Sequence, residues 1–196
     1  MTEPRSEGAV AETRRTILDA AREAMLSHGV RRTTAADIAR RSGVSRQTIY
    51  RYWPDVTSLC ADVLTRELRA AIPADAPAAS LDGLVAALVG TAAGIRDLPL
   101  LTRLRETDTE LFARYILERL GTSQQEILVR LAHGIATAQD AGIVRAGDPD
   151  RLAAMVLLVL QSAVQSAPLV ADRLPPGAWQ HELALVLRGY LAPENA

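Results

Sequence analysis

The chain has 196 residues, 48% hydrophobic and 23% charged, with a net charge of −1. It is longer than one minimal domain and apolar enough for a sizeable core, so a compact body with a small added module is expected. The near-neutral charge points to no partner, and the single cysteine, Cys60, excludes an intramolecular disulfide and fits a reducing cytoplasm.

Met1 to Glu12 is polar, lacks an apolar signal core and reads as a flexible tail. Further on, His28 precedes Gly29, where an imidazole can support a helix end. Thr34 to Pro54 then packs two short amphipathic helices around a turn. Thr34 can cap the first, with Asp37 three residues on standing in for the acid of a capping box. Ile38 faces inward, and Ala39 is small enough to let a partner helix approach. Gly43 sits where a helix stops in left-handed geometry, which costs a residue without a β-carbon least. Ser45 caps the second helix, placing Arg46 and Gln47 in its first turn and Tyr50 and Arg51 one turn along the same side. Ile49 and Trp53 fall on the opposite side, and Pro54 fixes the exit. This is the sequence form of a helix-turn-helix reader of DNA.

Charge supports that reading by its placement. Residues 1 to 56 hold ten Arg against seven Asp or Glu, and Arg31, Arg32, Arg40, Arg41, Arg46 and Arg51 lie within 21 residues against Asp37 alone. Such a cluster is the electrostatic footprint of phosphate binding, although a run of arginines is also what a solvated face looks like. No lysine occurs, so every basic contact is made by guanidinium, which suits bidentate pairing with guanine or phosphate.

The remainder reads as helices. Val56 to Ile72 continues from the reading head and stops before Pro73; Ser80 to Arg96 carries Leu81, Leu84, Val85, Leu88, Ala92 and Ile95 at three- and four-residue steps. Pro99 breaks that run, and a short turn near Leu100 to Arg105 leads to a helix over Glu110 to Leu120. Ser123 to Ala141, Pro149 to Ala171, and Ala178 to Leu191 after the breaker Pro175-Pro176-Gly177 complete the chain. No run sustains strand alternation, so the class is all-α. Leu152 to Ala171 holds no charge for twenty residues, about the length that spans a bilayer, but Gln161, Ser162, Gln165, Ser166 and Pro168 interrupt it. A helix apolar all round is equally expected between its own core and a second subunit, and no membrane partner is assigned. Trp179, Leu183 and Leu187 on the last helix, with Leu157 and Val164 on the one before, are the expected subunit interface; two such helices from each of two copies can close a four-helix bundle.

The segment 34–54 resembles the DNA-binding domain of the tetracycline-repressor (TetR) family. The likeness extends upstream through Thr16 to Ala24, His28-Gly29-Val30 and Thr33-Thr34, and downstream to the loop Ala138 to Arg145 with Asp148 to Ala154. Met25 and Val30 stand where the family carries aromatics, and Val56 where it offers the DNA backbone a lysine. The resemblance implies an N-terminal three-helix helix-turn-helix domain over residues 13–56, behind the tail 1–12, and a ligand-binding and dimerisation domain over 57–196. It implies a cytoplasmic homodimeric repressor that binds a palindromic duplex operator and is released by an unidentified small-molecule effector. Arg46 and Gln47 then contact base edges, because the first turn of a recognition helix enters the major groove most deeply. Thr34, Tyr50, Arg51 and Tyr52 make phosphate or mixed contacts, and Thr48 touches DNA or caps its own helix. By position in the family, Leu100, Arg103, Phe112, Tyr115, His133, Gln161 and Gln165 are the effector contacts.

Catalysis finds no signature. His28, His133 and His181 lie far apart without metal-ligand spacing, and no phosphate loop, dinucleotide fingerprint or nucleophile elbow occurs. No catalytic residue, metal or cofactor is assigned. The reading from another class is a helical small-molecule-binding or interaction protein that kept the reading head without regulating specific genes.

Overall fold

The computed structural model describes residues 4–73, 78–108 and 122–193. Among these, the regular elements are α1 (Pro4–His28), α2 (Ala35–Ser42), α3 (Arg46–Tyr52), α4 (Val56–Ala71), α5 (Leu81–Arg96), α6 (Pro99–Thr107), α7 (Thr122–Asp140), α8 (Pro149–Ser166), a 3-10 turn (Ala167–Val170) and α9 (Pro176–Leu191). The class is all-α, as expected.

The chain parts into two compact units, Met1–Arg69 with Leu98–Arg119 and Ala70–Asp97 with Leu120–Ala196. In the first, α1 packs on α2 and α6, and α2 on α3. Its core is Ile17, Ala21, Ala24 and Met25 from α1, Ile38 from α2, Ile49 from α3, Leu59, Cys60, Val63 and Leu64 from α4, and Leu100, Leu101 and Leu104 from α6. Met25 and Val30 are buried, so the apolar stand-ins for the family's aromatics occupy the core. Ion pairs join α1 to α4 along the rim: Arg22 with Glu67 at 2.9 Å and Arg66 with Asp19 at 2.7 Å. These units part the chain elsewhere than the functional division expected between residues 56 and 57. Three helices, two of them very short, bury too little alone, and α4 and α6 supply the rest of their core.

In the second unit α5 packs on α8 and α9, while α7 lies along α8. Val85 and Val89, Ile135 and Ala138, Leu152, Ala153 and Val156, and Trp179, Leu183, Leu187 and Leu191 interlock there. The loop between α7 and α8 is sewn to the end of α9. The Arg145 N–H donates to Leu191 O at 2.9 Å and its Nε to Tyr190 O at 2.7 Å, satisfying carbonyls that a helix end leaves open. Arg188 of α9 pairs with Asp82 of α5 at 2.9 Å.

The structure redraws several sequence expectations. Pro99 and Pro176 open helices instead of merely breaking them, as Pro149 was expected to do, since a first-turn proline gives up an N–H that has no helical partner there. The stretch from Leu100 is thus the helix α6, not a short turn. The polar residues expected to form a tail are helical from Pro4 onward, supported by the Glu12–Arg15 pair at 2.7 Å. The uncharged run ends as α-helix at Ser166 and continues as a 3-10 turn. The helix expected over Glu110 to Leu120 lies outside the described residues.

Trp179, Leu183 and Leu187, expected at a subunit interface, are 4%, 6% and 1% exposed within the single chain. They have almost no surface left to give a partner. Leu187→Ala should accordingly lower the unfolding free energy by about 2–5 kcal/mol in urea denaturation, the cost of a core cavity.

Candidate nucleic-acid interface

The reading head is built by local chemistry at four helix ends. Thr34 is the extended N-cap of α2, and its hydroxyl accepts the Asp37 N–H at 3.2 Å. Gly43 ends α2 at φ 73° and donates its N–H to Ala39 O at 3.0 Å. Ser45 caps α3 by accepting the Thr48 N–H at 3.0 Å, and the two hydroxyls share a further hydrogen bond of 2.9 Å. Thr48 is therefore tied to the Ser45 cap through both its N–H and its hydroxyl. Trp53 closes α3 with its N–H on Ile49 O, and Ile49 is wholly buried beneath.

Longer reaches fix α3 on its neighbours. The Trp53 indole N–H donates to Asp62 Oδ2 at 2.9 Å, and Arg14 donates to the same oxygen at 2.6 Å while its guanidinium lies over the indole, 5.4 Å from its centroid. One carboxylate on α4 thus ties the end of α3 to α1. Asp37 gathers another cluster: Arg40 and Arg41 (3.0 Å) bind its carboxylate, and His28 Nε2 lies 3.4 Å away. Partial desolvation pushes the Asp37 carboxyl up, but the hydrogen bonds and charges of Arg41 and Arg40 outweigh it and hold the group below its usual 3.8. Arg40 and Arg41 are consequently neutralised in part before any phosphate arrives. The Cys60 thiol is buried, and burial first, then the charges of Asp108 and Asp55, push it up to about 12. It stays protonated at neutral pH and is a poor redox sensor.

What remains open is the outer side of α3. Arg46, Gln47, Tyr50 and Arg51 are exposed, and a shallow depression is lined by Ser45, Gln47, Thr48, Tyr50 and Arg51. Arg51 donates to the Tyr52 hydroxyl at 3.2 Å and stacks on that ring, its guanidinium 5.0 Å from the centroid. Among the described residues, the side chains of Arg46, Gln47 and Tyr50 have no hydrogen-bond or ionic partner, so they are available to a ligand.

The comparisons with known proteins agree with this geometry. The family model for bacterial regulatory proteins, tetR family, matches residues 17–62. An uncharacterized HTH-type transcriptional regulator of Mycobacterium bovis, Mb2274c, is 45% identical over 186 residues, covering 92% of this chain and 95% of that protein. The chain belongs to the TetR family. A further TetR-family likeness is to the regulator TylP of Streptomyces fradiae, with a TM-score of 0.67 at 22% identity over 94% of this chain and 89% of that one. SmeT, the repressor of the Stenotrophomonas maltophilia multidrug efflux pump SmeDEF, matches in its triclosan complex with a TM-score of 0.63 at 20% identity, over 93% of each chain. These two likenesses speak for the fold. The protein is thus an HTH-type, DNA-binding transcriptional regulator.

The structure brings Thr34, Arg46, Gln47, Thr48, Tyr50, Arg51 and Tyr52 onto the two helices of one TetR-family reading head. Of the expected effector contacts, Leu100 and Arg103 belong to the first unit and His133, Gln161 and Gln165 to the second. Leu100 is 1% exposed in the core of the first unit, and Arg103 of α6 donates to Ser27 O at 3.4 Å. His133 is exposed on α7, Gln161 and Gln165 are partly buried on α8, and the Gln124 amide donates to Gln161 at 3.3 Å. Phe112 and Tyr115 lie outside the described residues. Leu157 and Val164 are partly buried on α8. Arg14 and Asp62 were missed by sequence reasoning, since their partners lie on other helices.

The depressed Asp37 carboxyl gives a pH signature. Its contribution to stability is complete above the unfolded-state pKa and is lost as pH falls through the lower folded-state value. The stability difference between wild type and Asp37→Asn, followed by thermal melts, should therefore be constant from pH 7 down to about 4 and shrink below it.

Proposed function

We propose that this TetR-family regulator is a homodimeric repressor that binds a palindromic operator and is released by a small molecule. The observation that carries the DNA-reading part is the first turn of α3, where Arg46 and Gln47 stand exposed and unpartnered directly after the Ser45 cap. That turn is the part of a recognition helix that reaches base edges. Arginine suits O6 and N7 of guanine and glutamine suits N6 and N7 of adenine. Thr34, Tyr50, Arg51 and Tyr52 are assigned to phosphate, where they set register. Thr48 is tied to the Ser45 cap and is left a secondary contact.

The second copy is called for by apolar surface. Met155 and Leu158 on α8 are 43% and 61% exposed, and Leu185 and Val186 on α9 are 45% and 55% exposed. Together with the partly buried Leu157 and Val164 they replace Trp179, Leu183 and Leu187 as the subunit-facing set. Pro149–Val170 is long and apolar enough to cross a membrane, yet α8 also packs Leu152, Ala153 and Val156 into a helical core. A helix covered on one side by its own unit and bare on the other is the pattern of a subunit interface. The effector is assigned on the likeness to SmeT, solved with triclosan, with Gln161 and Gln165 as polar anchors on an otherwise apolar helix.

Replacing Arg46 or Gln47 by alanine should cost about 1–3 kcal/mol at the cognate base pair and flatten the preference there. Competition binding against single-base variants of an operator selected from random duplexes measures this, and unchanged preference in both variants removes them as readers. Leu158→Arg should turn the dimer into monomer in sedimentation, because an unpaired charge cannot be buried at the interface. Half-operator binding survives in that variant, while tight binding to two half-sites is lost. A wild type that sediments as monomer with and without operator contradicts the dimer.

A further inference from the structure

The turn between α1 and α2 leads the chain into the Thr34 cap, and residues from far along the sequence hold it. Thr33 closes the turn locally, its N–H on Val30 O at 3.0 Å and its hydroxyl on Gly29 O at 2.8 Å. The N–H groups of Val30 and Arg31 point elsewhere. They donate to the carboxylate of Asp108, 78 and 77 residues on, at 2.8 and 3.3 Å. Asp108 ends α6 and is 2% exposed. The Thr107 hydroxyl donates to the same carboxylate at 2.9 Å, and Arg31 Nε lies 3.6 Å from it.

The seat is tight. Gly29 adopts φ 85°, and a β-carbon there would lie 2.7 Å from Thr107 Oγ1 and 3.0 Å from Asp108 Oδ2. A buried carboxylate is tolerated because donors surround it, and the converse also holds: without it, a buried backbone N–H is orphaned at a cost that rearranges a turn. The turn in question ends one residue before the N-cap of α2, and α2 carries α3.

We propose that Asp108 is a positioning residue for DNA binding. From outside the helix-turn-helix motif it fixes the turn Gly29 to Thr33, and through it the seating of Thr34 and α2 on the DNA backbone that sets the entry of α3. This rests on the DNA-reading assignment above. It makes the end of α6 part of the reading head in function as well as in packing.

The test uses the full-length chain with Asp108→Ala and Asp108→Asn, an operator selected from random duplexes by wild type, and a scrambled duplex of equal length. In variants shown to be folded by circular dichroism, alanine should weaken operator binding about tenfold or more while binding to the scrambled duplex changes less than about twofold. Asparagine keeps one acceptor oxygen but turns a donor toward the turn, so its loss should be intermediate, about threefold. Amide exchange at Val30 and Arg31 should quicken in step. Operator affinity equal to wild type in either folded variant, or equal losses on operator and scrambled duplex, overturns the proposal. If alanine does not fold, the asparagine variant decides alone: unchanged exchange at both amides, or quickened exchange with wild-type operator affinity, overturns it. Failure of wild type to enrich any duplex defeats the DNA-reading assignment before a variant is made.

Discussion

Two helices of eight and seven residues, α2 and α3, are too short to persist on their own, and everything this protein does with DNA depends on what stabilises them. A helix that short does not recover the cost of its own nucleation in water. Burial of Ile38 and Ile49 at 0% exposure supplies the main attraction, and the Thr34 and Ser45 caps satisfy backbone donors that packing alone would leave open. The outer side of α3 is thereby released from structural duty. Arg46, Gln47 and Tyr50 can stay unpartnered because the inner side and both ends are already held.

The hold is wider than the motif. Asp62 on α4 ties Trp53 and Arg14 together, and Asp108 at the end of α6 grips the turn into α2. Each is a carboxylate serving donors from two segments, so each converts a local helix end into a tertiary joint. Asp37 binds Arg40 and Arg41 of its own helix and has His28 of α1 beside it. The arginine cluster that suggests phosphate binding in the sequence is therefore partly paired within the protein, whereas Arg46 and Arg51 on α3 stay exposed.

What could be read from the sequence was what is local. Caps at Thr34 and Ser45, the stop at Gly43 and the inward side chains Ile38, Ile49 and Trp53 each depend on neighbours within four residues. The stripe on α5 was legible for the same reason. Periodicity locates an apolar face without saying what covers it, so Trp179, Leu183 and Leu187 were placed against a partner although α5 and α8 already enclose them. Prolines 99 and 176 read as interruptions because a break and a first turn share the same residue. The joints through Asp62 and Asp108 had no signal at all, since nothing in a sequence pairs residue 30 with residue 108.

The central claim is that this short, externally braced helix and its copy in a second subunit read two half-sites. Hydroxyl-radical footprinting of the full-length protein on a selected duplex tests it most directly. Two protected patches on one face of the duplex, with centres about 34–36 Å apart or a multiple of that, are the predicted result. A single protected patch, or uniform protection along the duplex, would contradict the account.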